Sequence, residues 1–465
     1  MDGAKEFKEN KMGVKPVKRL LVGMSLPMMA SMLMQALYNI VDSIFVTRLS
    51  EDALTAVSLA FPMQNIMIAV ASGTGVGVNA LLSKALGEKN QNRADAAANA
   101  GILLSALSSA VMLIVGMFLS EPFLRSQTDI PGIVSMGTDY IRIVCCLSFG
   151  LFMQVMCERL LQSTGRTLFS MASQITGAVI NIILDPIMIL GSAYIPFVGY
   201  IDIPWINGVG VAGAAYATVI GQFCAAAVAM LLNVFKNPEI KIRLRDILRP
   251  HAAIIKRIYA VGIPSILMMS IGSVMTYLMN RILIGFSTTA AAVFGVYFKL
   301  QSFFFMPVFG LNNGLIPILA YNYGARRKDR ITEVLRFGML LAFCIMAVGT
   351  VIFNVFPGVL LDFFNASPYM HEIGEPALRI ISFCFPIAAV CIALGSTFQA
   401  FSQSIYSLIV SVIRQLVVLI PSAWLLARTG EVTSVWWSFI IAEGAGLIIT
   451  VICFRRLYRK IISVL

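Results

Sequence analysis

Charge is scarce in this chain. Only 12% of its 465 residues are Asp, Glu, Lys or Arg, about half the share in a soluble globular domain, which argues against a water-soluble protein. Histidine is scarcer still: His251 and His371 stand far apart near expected span ends, so a histidine proton relay has little support. The eight cysteines (Cys145, Cys146, Cys157, Cys224, Cys344, Cys384, Cys391 and Cys453) fall in apolar stretches without C-x-x-C spacing. They read as small buried hydrophobes rather than metal ligands. No nucleophile–base set supports a membrane-embedded enzyme. The glycine-rich "ASGTGVGVNALLSKALG" has no strand before it and no G-K-[ST] after it, which excludes a nucleotide loop. Its glycines read as sites of close helix packing or bending. The start, "MDGAKEFKENKMGVKPVKRL", is polar and basic without a cleavage site, so no removable signal is expected.

What the chain has is hydrophobic length. It is 58% hydrophobic with a mean hydropathy of +0.85. A helical span needs about 20 apolar residues, and 12 candidates satisfy that, at roughly 18–46, 53–83, 93–121, 134–160, 167–191, 208–234, 253–284, 289–322, 331–358, 372–400, 405–428 and 434–458. The runs are continuous rather than alternating, which favours helices over a barrel. Basic residues concentrate in the N-terminal tail (Lys5, Lys8, Lys11, Lys15, Lys18, Arg19), in most alternate connections and in the C-terminal tail (Arg455, Arg456, Arg459, Lys460). Arg159 and Arg166 are counted among the connections. The positive-inside rule then places both termini in the cytoplasm. It also accounts for most of the net charge of +12 without nucleic acid. Trp205, Trp436 and Trp437 fall near the outer boundary, where an aromatic belt is expected.

The sequence also repeats. Pro27 and Pro264 stand 237 positions apart, and the same offset relates Phe61 to Phe298, Gln64 to Gln301, Gly77 to Gly314, Gly87 to Gly324, Gly101 to Gly338, Arg142 to Arg379 and Gln162 to Gln399. Six spans return the chain to the same side, so the halves are parallel repeats. Two such halves usually flank a central site and rock about it. The expected fold is an all-α membrane protein: 12 transmembrane helices in two six-helix bundles around a central cavity. The expected divisions are 1–235, a basic linker at 236–257, and 258–465.

Two stretches carry chemistry. In "LPMMASMLMQALYNIVDSIFV", Met28, Met32, Gln35, Asn39 and Asp42 recur at helical spacing and share a face, with Tyr38 one turn before Asp42. An aspartate deep in a span costs roughly 2.5–3.5 kcal/mol and faces protein or water, a functional site by default. An acid snorkelling to the outer interface is the alternative. In "QITGAVINIILDPIMIL", Asn181 and Asp185 are four apart and stack on one face, extended by Gln174 and Gly177. Pro186 has no N–H, so the Ile182 carbonyl lacks its helical partner, and a bend is expected. Two carboxylates sharing a low-dielectric site repel one another and lose hydration, so the pair gains by taking up a cation, a proton included. The second half differs: Asp42 maps to Met279, Asn181 to Val418 and Asp185 to Ser422. It carries Arg281, Lys299, Arg379, Arg414 and Glu443 in or near spans instead, where Glu443 pairs with a cation on the structural reading. The 25 methionines are mostly gap-fillers; Met28 and Met32 are the better cavity candidates. "SFFFMPVFG" offers aromatic walls, or lipid-facing packing for two of its three consecutive phenylalanines.

With these motifs together, the chain resembles the multidrug and toxic compound extrusion (MATE) family, in its DinF-like bacterial branch. The resemblance spans nearly the whole chain. It rests on "LPMMASMLMQALYNIVDSIFV", "ALGEKN", "NIILDPIMILG", "VAGAAYAT" and "YNYGARR". It implies two six-helix bundles forming a V-shaped cavity, and export of amphipathic, mostly cationic compounds against H+ or Na+. It implies a coupling site in the first bundle at Asp42, Asp185, Asn181 and Thr218, with possible Na+ there. Substrate contacts at Gln35 and Tyr38 follow by the same match, joined by Asn39, Met28 and Met32 from the bottom-up reading. Another branch couples through acids in spans 7 and 10. Span 7 here has none, and span 10 has only Glu372 and Glu375 near its outer end. The outer loop before "VAGAAYAT", from about Gly191 to Gly210, is longer than in the family pattern and weakens the Thr218 match.

The expectation is therefore a secondary active multidrug exporter of the cytoplasmic (inner) membrane: multi-pass, monomeric, and without enzymatic turnover. It needs no cofactor beyond the coupling ion and no nucleic acid. Its partners are small-molecule drugs or toxic organic cations and the lipid bilayer. A flippase of lipid-linked cell-wall precursors is the main rival, and would need a basic cavity from residues such as Arg281, Lys299 and Arg414. A major facilitator carrier is excluded by "ALGEKNQNRAD", which stands where that family's basic glycine motif belongs.

Overall fold

The structure is a computed structural model that describes residues 10–195, 199–202, 208–364 and 366–465. Lys5, Lys8 and Trp205 lie outside the described residues. In chain order the elements are α1 (Lys11–Val14), α2 (Val17–Thr47), α3 (Glu51–Gly87), α4 (Gln91–Arg125), α5 (Pro131–Cys146), α6 (Phe149–Ser163), α7 (Thr167–Leu190), β1 (Ser192–Ile195), β2 (Gly199–Asp202) and α8 (Val211–Lys236). The second half continues with α9 (Leu244–Ile247), α10 (Ala252–Ile284), α11 (Thr288–Gly324), α12 (Lys328–Val355), α13 (Pro357–Asp362), α14 (Pro368–Ser382), α15 (Phe385–Ala400), α16 (Ser404–Val412), α17 (Ile420–Ala427) and α18 (Val432–Leu457). A π-helical turn, Ile413–Leu419, joins α16 to α17, and another, Tyr458–Ile462, follows α18.

Among the described residues, 10 helical stretches are long and apolar enough to cross a membrane. Two bent pairs, α5–α6 (47°) and α14–α15 (44°), bring the number to 12 if each is one span. The repeat is visible in the elements. Helices α3 and α11 are both 37 residues long and begin 237 positions apart. The starts of α4 and α12, α5 and α14, and α7 and α16 keep that same offset. Proline opens both α5 and α14, where its missing N–H and fixed φ cost nothing. The halves also diverge. In the second, the π turn interrupts the span that α7 crosses without a break. In the first, the long connection before α8 holds an antiparallel hairpin, with Ser192 opposite Asp202 and Ile195 opposite Gly199.

The chain divides into two compact units. The N-terminal unit comprises Leu33–Leu82 and Gln91–Gly262. The other comprises residues to Met32, Ser83–Asn90 and Ile263–Leu465. The division cuts through α2, α3 and α10. A hydrophobic core of the N-terminal unit gathers Phe45, Met63, Met67, Tyr140, Phe152 and Ile189. In the second unit, Phe294 packs against Phe298 (centroids 4.7 Å apart) and against Trp436 (6.4 Å). Trp436 is thus a core residue rather than a belt residue, while Trp437 is exposed. Of the three consecutive phenylalanines, Phe304 and Phe305 pack inward on Phe353 and Phe385, and Phe303 is exposed. Four cysteines are buried as expected, but Cys344 is exposed.

The basic connection after α8 is held in place. Lys241 N–H donates to Asp95 (2.9 Å) and Arg243 N–H to Asn99 (3.0 Å). The Asn99 amide returns a bond to the Lys241 carbonyl (2.9 Å), and Gln91 donates to the Glu239 carbonyl (2.8 Å). The first turns of α4 therefore satisfy backbone groups that an unanchored linker would leave to water.

Candidate functional site

Helix α7 is the spine of the site. Ser173, Gly177, Asn181 and Asp185 recur every four residues, so they form one stripe, and all four are buried. The helix runs on through Pro186 to Leu190 and closes at Gly191, which takes the left-handed conformation (φ 74°) and donates its N–H to the Ile187 carbonyl. Glycine is the residue best able to end a helix that way.

The partner helix α8 approaches closely along that stripe. A Cβ at Gly221 would sit 2.7 Å from the Gly177 carbonyl oxygen and 3.3 Å from Asn181 Cβ. Only hydrogen fits, and that close approach brings Thr218 to the stripe. The Asn181 amide donates to Asp185 Oδ1 at 3.1 Å and reaches Thr218 Oγ1 at 3.4 Å.

Asp42 comes from the C-terminal turns of α2 and lies within electrostatic reach of Asp185. Both belong to the N-terminal unit, as do Asn181 and Thr218. Three buried oxygens in this group, Asp42 Oδ1, Asn181 Oδ1 and Asp185 Oδ2, have no hydrogen-bond donor among the described residues. Buried acceptors almost always have partners, so three together call for an explanation. Oxygen ligands of this kind suit a hard cation, and either carboxylate can take a proton.

The neighbouring residues sort by position. Gln35 accepts from the Gln174 amide at 3.3 Å. Tyr38 lies in the field of Asp42, Asp185 and a third acid, Glu158. Asn39 is exposed, and its carbonyl accepts the Ser43 hydroxyl. Met28 and Met32 fall in the other unit, where Met28 is buried and Met32 half-buried. Tyr140, held by Gln64 at 2.9 Å, is a further phenol in the field of Asp42 that the sequence reading did not single out.

Nor does the sequence pattern mark Glu158. Its neighbour Arg159 reads from sequence as a connection residue, yet the structure carries α6 on to Ser163 and buries both side chains. The clue in the sequence is an acid nine residues beyond Phe149, with Leu160 and Leu161 still to come after its neighbour Arg159.

The second half holds no such acid group at the matching positions. Met279 is buried, and the Ser422 hydroxyl donates to the Val418 and Leu419 carbonyls. Glu443 pairs with Arg414, whose Nη1 reaches both carboxylate oxygens at 3.1 and 3.2 Å. Arg414 lies in the π turn, a conformation frequent at functional sites. Arg281 is exposed, and the Lys299 ammonium lies 6.0 Å from the Phe364 ring.

Comparison with known proteins agrees with this layout. The family model described as MatE matches residues 27–187 and again residues 264–425, and the two matches begin 237 positions apart. The multidrug export protein MepA of Staphylococcus aureus (strain MRSA252) is 24% identical over 434 residues, covering 92% of this chain and 91% of that one. MepA of Staphylococcus haemolyticus (strain JCSC1435) is 24% identical over 426 residues, covering 91% and 90%. Among solved structures, an outward-facing multidrug resistance MATE family transporter of the MOP superfamily superposes with a TM-score of 0.89 at 24% identity, covering 98% of both chains. A MOP superfamily transporter from Pyrococcus furiosus Vc1 (DSM3638), described as having a binding pocket of reverse polarity that suggests a different function, gives 0.85 at 24% identity with the same coverage. These likenesses establish the fold.

Proposed function

The chain belongs to the MatE family, a family of multi-pass membrane transporters, and on that premise we propose that it exports multiple small molecules from the cell in exchange for a cation. The substrates are amphipathic and mostly cationic, and the cation is H+ or Na+. The observation that carries the reading is the set of donorless buried oxygens on Asp42, Asn181 and Asp185. Two of those atoms belong to carboxylates, and two carboxylates together make a site whose free energy falls when a cation enters. A cationic drug drawn to the same negative field competes with that cation, and competition between them is the basis of exchange. Drug release follows cation entry from outside, and drug rebinding follows cation loss to the inside. Gln35 and Tyr38, beside the acids, are the favoured substrate contacts, and Asn39, Met28 and Met32 are the further candidates on α2.

The basic connections orient the chain with both termini in the cytoplasm of a cell bounded by its inner membrane. The units divide the work: the acid group lies in the N-terminal half, and the rest follows by alternating access. The protein acts as a monomer, makes and breaks no covalent bond, and needs no cofactor beyond the coupling ion. The flippase reading is weaker because Arg414, one of its cations, is neutralised by Glu443. Uptake into vesicles under sodium and pH gradients imposed one at a time tests the proposal. Drug flux driven by one of the two supports it; drug flux indifferent to both refutes it. A resistance profile of cells expressing the chain would show which drug classes it carries.

A further inference from the structure

The coupling site leaves one buried acid unused. Glu158 stands in α6, 7% exposed, five residues before the helix ends. Its Oε1 accepts from the Gln154 amide at 3.1 Å and from the Ser173 hydroxyl at 3.3 Å. That hydroxyl also has the Ala225 carbonyl within reach at 2.9 Å. Both donors to Glu158 are neutral. Arg159, next in the chain, sends Nη1 to Gln162 and acts on Glu158 through space. Tyr38 and Cys157 are the other titratable groups in its field. An ionisable residue within a span is costly and is by default a functional-site candidate.

Its position gives it a task. Ser173 opens the buried stripe that ends at Asp185, so Glu158 docks at one end of α7 and the acid pair gathers at the other. Twelve residues separate Ser173 from Asp185, about 18 Å at the helical rise. Polar groups line the interval. The Gln174–Gln35 amide pair comes first, at 3.3 Å. Tyr38 follows one turn further along α2, in the field of Glu158, Asp42 and Asp185 alike. At the repeat offset Glu158 corresponds to Gly395 and Ser173 to Val410, so this acid and its contact, like the coupling pair, occur in one half only.

We propose that Glu158 is the inner proton acceptor of the coupling site, receiving the proton that the Asp42–Asp185 pair gives up before it leaves toward the cytoplasm. The path is lined by Tyr38, Gln35, Gln174 and Ser173. The proton is conserved at each step: the acid pair regains one negative charge as the Glu158 carboxylate loses one. The inference rests on the export reading above and selects H+ over Na+, since a single buried carboxylate can take up a proton but, with one hydroxyl and one amide donor around it, makes no cage for a metal ion.

Proteoliposomes loaded with ethidium provide the test, using wild type, Glu158→Gln and Glu158→Asp. Efflux driven by an imposed pH gradient is compared with ethidium–ethidium exchange at no gradient, which needs folding and drug binding but no proton transfer. Glu158→Gln lowers pH-driven efflux at least tenfold and leaves exchange within about twofold; Glu158→Asp restores most of the efflux. A smaller fall, or a parallel loss of exchange from protein that is monodisperse on gel filtration, overturns the relay. Wild-type efflux driven by sodium alone also overturns it while leaving the export reading intact. No wild-type ethidium movement under either gradient removes the export reading itself.

Discussion

Replacing Asp185 by Asn keeps the shape of the site and removes half of its formal charge. The side chain is buried, and its Oδ1 bond from Asn181 at 3.1 Å can survive on the amide oxygen. What disappears is the carboxylate's attraction for a cation. Two unit charges about 4 Å apart at an effective dielectric of 20 interact by about 4 kcal/mol, or roughly a thousandfold in affinity. Because Asp42 remains, the cation still has one carboxylate. The expected outcome is cation-driven drug efflux at least a hundredfold below wild type in reconstituted vesicles, with binding of a cationic drug weakened as well, since the same carboxylate attracts it. Asp42→Asn behaves alike. If both variants transport within about threefold of wild type, the acid pair is not the coupling site and the argument from unpartnered oxygens fails.

Other consequences follow from the packing. Gly221→Leu drives side-chain atoms into the Gly177 backbone, costs about 1–3 kcal/mol as overpacking, and moves Thr218 away from Asn181; a lowered thermal midpoint together with weakened cation dependence is expected. Arg414→Met leaves Glu443 without its partner and destabilises the protein by about 3 kcal/mol, whereas Arg414→Met with Glu443→Met recovers most of the loss; thermal unfolding of the single and double variants measures both. Asp95→Ala removes the acceptor for the Lys241 N–H, so limited proteolysis between Asn237 and His251 speeds up severalfold while transport stays close to wild type.

Much of the fold is legible because the bilayer imposes it. Lengths of apolar chain mark the spans, and the offset of 237 between Pro27 and Pro264 recurs in the helix starts. The bend at Leu147–Ser148 is less legible, since no proline marks it; the one at Phe383–Cys384 is followed by Pro386 in the first turn of α15, a start signal masked by the continuous apolar run around it. The π turn around Arg414 and the hairpin of β1 and β2 carry no periodic signal of their own. In the site, Asn181 and Asp185 are readable from four-residue spacing within one helix. Thr218 is readable only through the family resemblance in "VAGAAYAT"; spacing does not give it, because its approach to Asn181 depends on the Gly177–Gly221 contact between two helices. Glu158 is not legible because an acid beside an arginine resembles a solvated helix end, and it is the packing of α7 and α8 against α6 that buries it. Met28 and Met32 share a helical face with Asp42, but spacing along one helix could not reveal that the unit boundary falls between Met32 and Leu33.

The central claim is that drug and coupling cation compete for the Asp42–Asp185 site. Adding ethidium to purified protein in weakly buffered solution, with a pH electrode and a sodium-selective electrode recording, tests it most directly. The account predicts that wild type releases protons as the drug binds and that the Asp42→Asn, Asp185→Asn double variant releases none. Drug binding by wild type that displaces neither protons nor sodium would contradict it.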